Sequence, residues 1–300
     1  MRIFLTGATG FIGSHIVAEL LSAGHQVLGM TRSDAGAAAL VQAGAQPHRG
    51  TLEDLDSLQA GAARADAVIH TAFDHDFSNF VANCEKDQRA IRALGGALAG
   101  SDRPLVITSG TGMGAKEPGR PATEDVINAN NPNPRVASEM AGQEMSAAGV
   151  KVVVVRLPQV HDTHKQGLVT TFIEIARQKG VSAYVGEGRN RWPAAHVLDV
   201  ARLYKLAVEQ GQAGERFHAV DDEGVSARDI ATVIGGGLDL PVVALSPEQA
   251  AAHFGWLAAF VGMDMPASSA WTRERLGWRP EGPGLIADLR QMDYAVAAPA

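Results

Sequence analysis

The chain has 300 residues, enough for one large α/β unit or for a nucleotide domain with a smaller companion. A hydrophobic fraction of 46% excludes a disordered chain, and a net charge of −7 with a pI near 5.8 argues against nucleic acid or an anionic membrane as partner. One cysteine, Cys84, excludes a disulfide framework and fits a reducing compartment; with no leader and no apolar stretch of spanning length, a cytoplasmic location is expected.

Ile3-Phe4-Leu5 reads as a short apolar strand, and Ile16, Val17, Leu20 and Leu21 give a helix over 10–23 that ends at Gly24. Between them lies Thr6-Gly7-Ala8-Thr9-Gly10-Phe11-Ile12-Gly13. A helix that begins this way leaves its first N–H groups free and the positive end of its dipole exposed, which suits a phosphate. Gly7 permits the tight turn, Gly10 lets the backbone approach a pyrophosphate, and Gly13 lets the helix lie close on the strand. The alternative is an ordinary strand–helix connection, but the place of the motif after a strand and before a helix favours a dinucleotide site.

A second strand over 26–30 leads to Thr31-Arg32-Ser33. In such sites an acidic residue about 20 positions past the glycines grips the ribose 2′-hydroxyl, whereas an arginine pairs with a 2′-phosphate. The first carboxylate here is Asp34, which reads as the N-cap of a helix over 35–43. Arg32 therefore favours NADP over NAD, unless it is simply a solvated surface charge. A weak strand near 45–48 precedes Gly50-Thr51-Leu52-Glu53-Asp54 and a helix from about 54 to 63. Ala67-Val68-Ile69-His70 reads as a buried strand, and its exit through Thr71-Ala72-Phe73-Asp74-His75-Asp76 lies where open α/β folds bind ligands.

A long helix over 77–99 and a strand over 104–109 follow, then a Gly/Pro/Asn-rich loop over 110–134 that is long enough to border an active site. A helix over 135–148 and a strand over 152–155, running into Arg156-Leu157-Pro158, complete the repeat. Strands alternating with helices of crossover length imply an α/β class with a Rossmann-type doubly wound parallel sheet. Beyond 159 the pattern changes, with a helix over 167–179, a segment over 181–185, a helix over 200–210 that Asp199 could cap, and a strand over 216–220. The expected division is an NADP-binding domain over 1–158, with 190–220 returning to it. A smaller interleaved substrate domain takes 159–189 and 221–300.

Further matching pieces are Ile69-His70-Thr71-Ala72, Asn83, Ile107-Thr108-Ser109, Val155 to Val160, His196 to Ala201, and Leu276-Gly277-Trp278-Arg279-Pro280. With the turn at 6–13, the chain resembles the extended short-chain dehydrogenase/reductase family, often labelled NAD-dependent epimerase/dehydratase. The resemblance spans nearly the whole length. It implies a bound nicotinamide dinucleotide, a C-terminal domain closing over it, and a homodimer through the helices at 77–99 and 135–148. Read with the residues above, it places cofactor contacts at Gly7, Thr9, Gly10, Phe11, Ile12, Gly13, Thr31, Arg32, Ser33, Leu52, Thr71, Ala72, Phe73, Thr108, Glu139, Pro158 and Val160.

One departure matters most. The family's working acid is a tyrosine followed four residues later by lysine, and that slot reads Arg135-Val136-Ala137-Ser138-Glu139. None of Tyr184, Tyr204 and Tyr294 has a lysine four positions on, so the chain is similar to the atypical branch of the family. Glu139 could accept a hydrogen bond from the nicotinamide ribose. Sugar epimerisation or dehydration is disfavoured because its base is missing.

What remains is reduction by hydride transfer of a small-molecule C=N, or of a C=O protonated by histidine or water. Ser109 could hydrogen-bond the acceptor, or bond only to backbone. His75, flanked by Asp74 and Asp76, would have a raised pKa and act as general acid; otherwise these residues merely cap a helix. His161 is a second candidate donor, with His164 three residues on; a metal there is not expected because no third ligand is evident. Arg135 could hold a substrate carboxylate or a cofactor phosphate, or lie on the helix surface. The rival from another class is a non-catalytic NADP-binding sensor or scaffold. Loop 110–134 with Trp192, Phe254, Trp256 and Trp271 is expected to shape substrate contact, apart from those aromatics that enter the core.

Overall fold

Alternation along the first strand decides which face each side chain takes. In β1 (Arg2–Thr6), Ile3 and Leu5 point into one hydrophobic cluster and Phe4 into another, all fully buried. In this computed structural model, which describes residues 1–295, β1 is followed by α1 (Phe11–Ser22), β2 (Gln26–Thr31), α2 (Asp34–Gln42), β3 (Gln46–Arg49), α3 (Leu55–Ala63) and β4 (Ala67–His70). Next come α4 (Phe80–Leu98), β5 (Pro104–Gly110), α5 (Val136–Ala147) and β6 (Lys151–Leu157). The remainder is β7 (Gln159–His161), α6 (Leu168–Lys179), β8 (Ser182–Val185), β9 (Arg191–His196), α7 (Val197–Gln210), β10 (Arg216–His218), β11 (Asp222–Ser226), α8 (Ala227–Leu238), β12 (Val242–Leu245), α9 (Pro247–Phe254), α10 (Ala258–Val261), α11 (Ala270–Leu276) and α12 (Leu285–Gln291).

The main sheet has seven parallel strands in the order β10-β6-β5-β4-β1-β2-β3. Strand order reverses between β1 and β4, and doubly wound sheets bind ligands at the carboxyl ends beside such a switch point. Those ends are Thr6-Gly7 and His70-Thr71, with Thr6 in register with His70. One face of the sheet packs on α1 and α7 through Ile16, Leu20, Leu203 and Tyr204. The other packs on α3, α4 and α5 through Leu58, Ile91, Leu94 and Ala141.

The later half builds a second core from Phe172, Trp192, Ile230, Phe254 and Leu285, under a three-stranded sheet β11-β9-β7 and a two-stranded pair β12-β8. Of the stretch 190–220, Arg216–His218 lies in the main sheet and Arg191–His196 in the three-stranded one. Strands β7 and β11 escape a periodicity reading because Gln159-Val160-His161 and Asp222–Ser226 are short and largely polar. Trp192 and Phe254 are core residues, which removes both from substrate contact.

Two helix starts differ from expectation. Ser33, not Asp34, caps α2, its hydroxyl accepting from the Gly36 N–H; Asp34 sits one step inside and pairs with Arg49 at 3.0 Å. His196, not Asp199, caps α7 through the Leu198 N–H. Asp199 is buried in the first turn, where its carboxylate accepts from the N–H groups of Glu281 and Gly282 and so ties the C-terminal segment down. The helix expected over 77–99 is broken as well. Asp76 accepts from the Ser78 N–H and the Asn79 side chain, forming a 3₁₀ turn over 77–79 before α4 begins at Phe80.

Candidate active site

The turn between β1 and α1 is shaped by two close approaches. Gly7 has φ +73°, and a Cβ there would lie 2.7 Å from Thr71 Oγ1 and 2.8 Å from the Ala72 nitrogen. A Cβ on Gly13 would lie 1.9 Å from the Gly7 carbonyl oxygen. A side chain at Gly13 would therefore push α1 off the turn, and one at Gly7 would collide with the chain leaving β4. No side chain caps α1, whose N-cap is Gly10, so none competes for its first N–H groups at the switch point. This cradle fits a pyrophosphate. Thr9, Phe11 and Ile12 rim it, and Thr71 and Ala72 close its far side through bonds to the Thr6 backbone and hydroxyl. Arg32 is exposed at the end of β2 and has neither an ion pair nor a hydrogen bond among the described residues.

Beneath the cradle runs a buried polar chain. The Thr6 hydroxyl meets His70 Nδ1 at 2.7 Å, and His70 Nε2 meets Asp87 Oδ1 at 3.0 Å. The other Asp87 oxygen accepts from Arg135 Nη1 at 2.5 Å and from the Ser138 hydroxyl at 2.6 Å. Arg135 also donates from Nη2 to the Thr108 carbonyl, and its guanidinium carbon stands 4.1 Å from the Phe73 ring centroid. Burial pushes the Asp87 carboxyl up, but the Arg135 charge and the His70 and Ser138 bonds outweigh it and hold the group well below the usual carboxylate range. From the opposite face Tyr204 reaches the Thr108 hydroxyl at 2.6 Å, with its phenol pushed up by complete burial.

Asp87 and His70 were not singled out from the sequence, yet a signal existed. Asn83, Asp87, Ala90, Ile91 and Leu94 follow helical spacing on the buried face of α4, so the carboxylate at 87 falls on an apolar stripe and requires a cationic partner.

Ser109 ends this arrangement. It follows Thr108 on β5, is buried, and its Oγ has no hydrogen-bond partner. An unsatisfied buried hydroxyl costs free energy unless a ligand meets it.

The model of the NAD dependent epimerase/dehydratase family matches residues 3–220, which take in the cradle, the buried chain and Ser109. The chain belongs to this family. A Schizosaccharomyces pombe protein described as uncharacterized is 46% identical over 98% of this chain and 100% of its own length. A Stigmatella aurantiaca 4-hydroxy-2-methyl-3-oxo-4-farnesyl-3,4-dihydroquinoline-1-oxide ketoreductase is 27% identical, over 85% of this chain and 80% of its own. The Thermus thermophilus UDP-glucose 4-epimerase in complex with NAD superposes with a TM-score of 0.77, covering 99% of this chain and 100% of that one at 22% identity, which shows the shared fold.

As a member of this epimerase/dehydratase family the chain is unusual where tyrosine and lysine are expected. Arg135 fills the first position and is held by Asp87, Ser138 and the Thr108 carbonyl, so it is not a free surface residue. Glu139 fills the second and is lost to the cofactor. Its two oxygens accept from Arg156 Nε and Nη2, both at 2.8 Å, and both residues are fully buried. Arg156 also donates to the carbonyls of Thr123 and Val126, which pins the 110–134 loop.

The expected acids fare differently from one another. Asp74 pairs with Lys86 at 2.8 Å and Asp76 caps the 3₁₀ turn, so neither carboxylate serves His75. His75 lies at the surface, and the partial loss of water beside Phe73 and Phe77, then the Arg135 charge, lower its pKa instead of raising it. His161 is enclosed completely, with Nδ1 at 2.7 Å from Asp288; burial outweighs that carboxylate and pushes its pKa down. It ties β7 to α12. His164 is exposed, and no group of three metal-ligating side chains occurs among the described residues. Leu52 and Val160 pack into the two cores of the main sheet, while Pro158 is half-buried after β6. Trp271 stacks on Phe217 at 5.4 Å on the outer edge strand β10, and Trp256 faces Phe77.

The Arg156 cluster has a consequence for stability. His218 Nε2 lies 3.2 Å from Arg156 Nη1 and its Nδ1 lies 2.8 Å from the Ser268 carbonyl, so Nδ1 carries the proton and Nε2 accepts. Burial, then the Arg156 charge, push its pKa down to about 3 from 6.5. Between those values the folded chain binds fewer protons than the unfolded one, so stability falls as the pH falls through that window. The expected slope from this group reaches about 1.4 kcal/mol per pH unit. Urea unfolding from pH 4 to 6 should show His218→Gln with a shallower pH dependence than the parent, and equal slopes would remove His218 as the cause.

Proposed function

We propose that the chain is a nicotinamide-dependent reductase that prefers NADPH and reduces a small-molecule carbonyl group. The observation that carries this reading is the unpartnered Ser109 hydroxyl, which follows in β5 the Thr108 carbonyl that Arg135, standing where the family's acid is expected, holds. The cradle of Gly7, Gly10 and Gly13 would hold the pyrophosphate, and Arg32 the 2′-phosphate. When bound, the nicotinamide supplies the hydride. Ser109 donates a hydrogen bond to the acceptor oxygen, and Arg135 offsets the negative charge that grows there. The oxygen then takes its proton from water.

Ser109 and Arg135 also separate this reading from its rivals. An iminium nitrogen has no lone pair to accept from Ser109, so C=O is favoured over C=N, and Arg135 holds its protons too tightly to act as a base. It cannot take a proton from a sugar hydroxyl, and Glu139 is locked to Arg156, so a base for epimerisation is lacking. The ketoreductase relative supports the same direction.

The test is NADPH oxidation by the purified chain against a panel of aldehydes and ketones. Tight NADPH binding with no turnover across the panel would leave the reading without support. Fluorescence titration should give a Kd for NADPH at least tenfold below that for NADH, and Arg32→Ala should abolish the difference. Equal affinities for the two nucleotides in the parent chain would refute the preference.

A further inference from the structure

Six aromatic side chains form a continuous strip that begins at Arg135 and crosses to the second half of the chain. Phe73, under the guanidinium, meets His75 at 5.3 Å and Phe80 at 6.2 Å, measured between ring centroids. Phe80 meets Phe77 at 5.4 Å. Phe77 stacks on Trp256 at 4.5 Å with planes 10° apart, and Phe260 closes the strip at 6.2 Å from Trp256. Both stacked rings sit on 3₁₀ turns, 77–79 and 255–257, and not in a packed helix or strand. Trp256 remains 44% exposed despite the stack. Phe73, Phe77, Phe80 and Phe260 are half-buried, and a contiguous apolar strip that still meets water marks a surface that something apolar covers.

We propose that this strip is the wall of the substrate site and that the acceptor is an aromatic or conjugated planar carbonyl compound. Its ring lies along Phe77 and Trp256 and its oxygen is directed toward Ser109 and Arg135. The inference rests on the carbonyl-reductase reading and adds the class of substrate. Flat rings gain from offset or edge contacts with other rings beyond simple burial. A polyhydroxylated acceptor would instead need hydrogen-bonding groups; of the six rings only His75 and Trp256 carry any, while Asp74 beside them is bonded to Lys86, and Asp76 to Ser78 and Asn79.

The experiment is calorimetric titration of the full chain, saturated with NADP+ so that no turnover occurs, with benzaldehyde and with glyceraldehyde. Benzaldehyde should bind at least tenfold more tightly. Trp256→Leu and Phe77→Leu should each weaken benzaldehyde about tenfold while changing the NADP+ Kd less than twofold. Equal binding of the two aldehydes, or benzaldehyde binding indifferent to both substitutions, would overturn the inference. Tight, ring-dependent benzaldehyde binding without NADPH-driven reduction would support the aromatic site and remove the reductase reading. Reduction of both aldehydes with equal kcat/KM would leave that reading in place and remove the aromatic site.

Discussion

Ser109→Ala is expected to lower kcat for carbonyl reduction by roughly 10²- to 10³-fold, the usual cost of losing one donor to a developing oxyanion. The hydroxyl is buried and partnerless, so its removal breaks no bond within the chain. Folding and nucleotide affinity should therefore be preserved, and the Kd for NADPH should stay within about twofold of the parent. The loss should fall on kcat and kcat/KM together, because the bond strengthens only as charge reaches the oxygen. Steady-state kinetics on one aldehyde, with NADPH titrated in parallel, decides the matter. A kcat within threefold of the parent would show that Ser109 is only a strand hydroxyl.

The second large effect concerns stability. Glu139→Leu leaves the Arg156 guanidinium without its carboxylate in a place where neither residue touches water. Arg216 Nε lies 3.7 Å from the same carboxylate and loses its nearest anion as well. Breaking one side of a buried pair costs about 3–5 kcal/mol, mostly as the penalty of the stranded charge. Removing both charges in Glu139→Leu with Arg156→Met should recover part of that loss. It should not recover all of it, because the carbonyls of Thr123 and Val126 then lose their donors at about 1–3 kcal/mol each. Urea denaturation of the single and double variants gives the comparison. A cost below about 1 kcal/mol for Glu139→Leu would mean that Arg156 finds another counter-charge.

Much of the main sheet was legible because its signals are local. Apolar runs such as Val152–Val155 fit buried parallel strands, helices of crossover length separate them, and the glycines at 7, 10 and 13 mark the turn at the switch point. The smaller sheets were not, since β7 and β11 are too short and polar to show a period. The failure at Asp74-His75-Asp76 has a different cause. Adjacency in sequence suggested a histidine between two carboxylates, but Lys86 on α4 takes one and a 3₁₀ turn takes the other. At position 139 the residue type was read correctly and its partner was out of reach, since Glu139 lies on α5 and Arg156 on β6.

The residues alone determined that a dinucleotide cradle follows the first strand, that no tyrosine–lysine pair stands at 135 and 139, and that Arg32 meets no carboxylate before Asp34. Each of these is set within a few positions along the chain. Only the folded chain decided that Arg135 is clamped by Asp87, that Glu139 belongs to Arg156, and that Phe77 meets Trp256. Those pairings join residues 17 to 179 positions apart. Whether such charges and rings meet depends on which elements pack together, and spacing along the sequence does not carry that information.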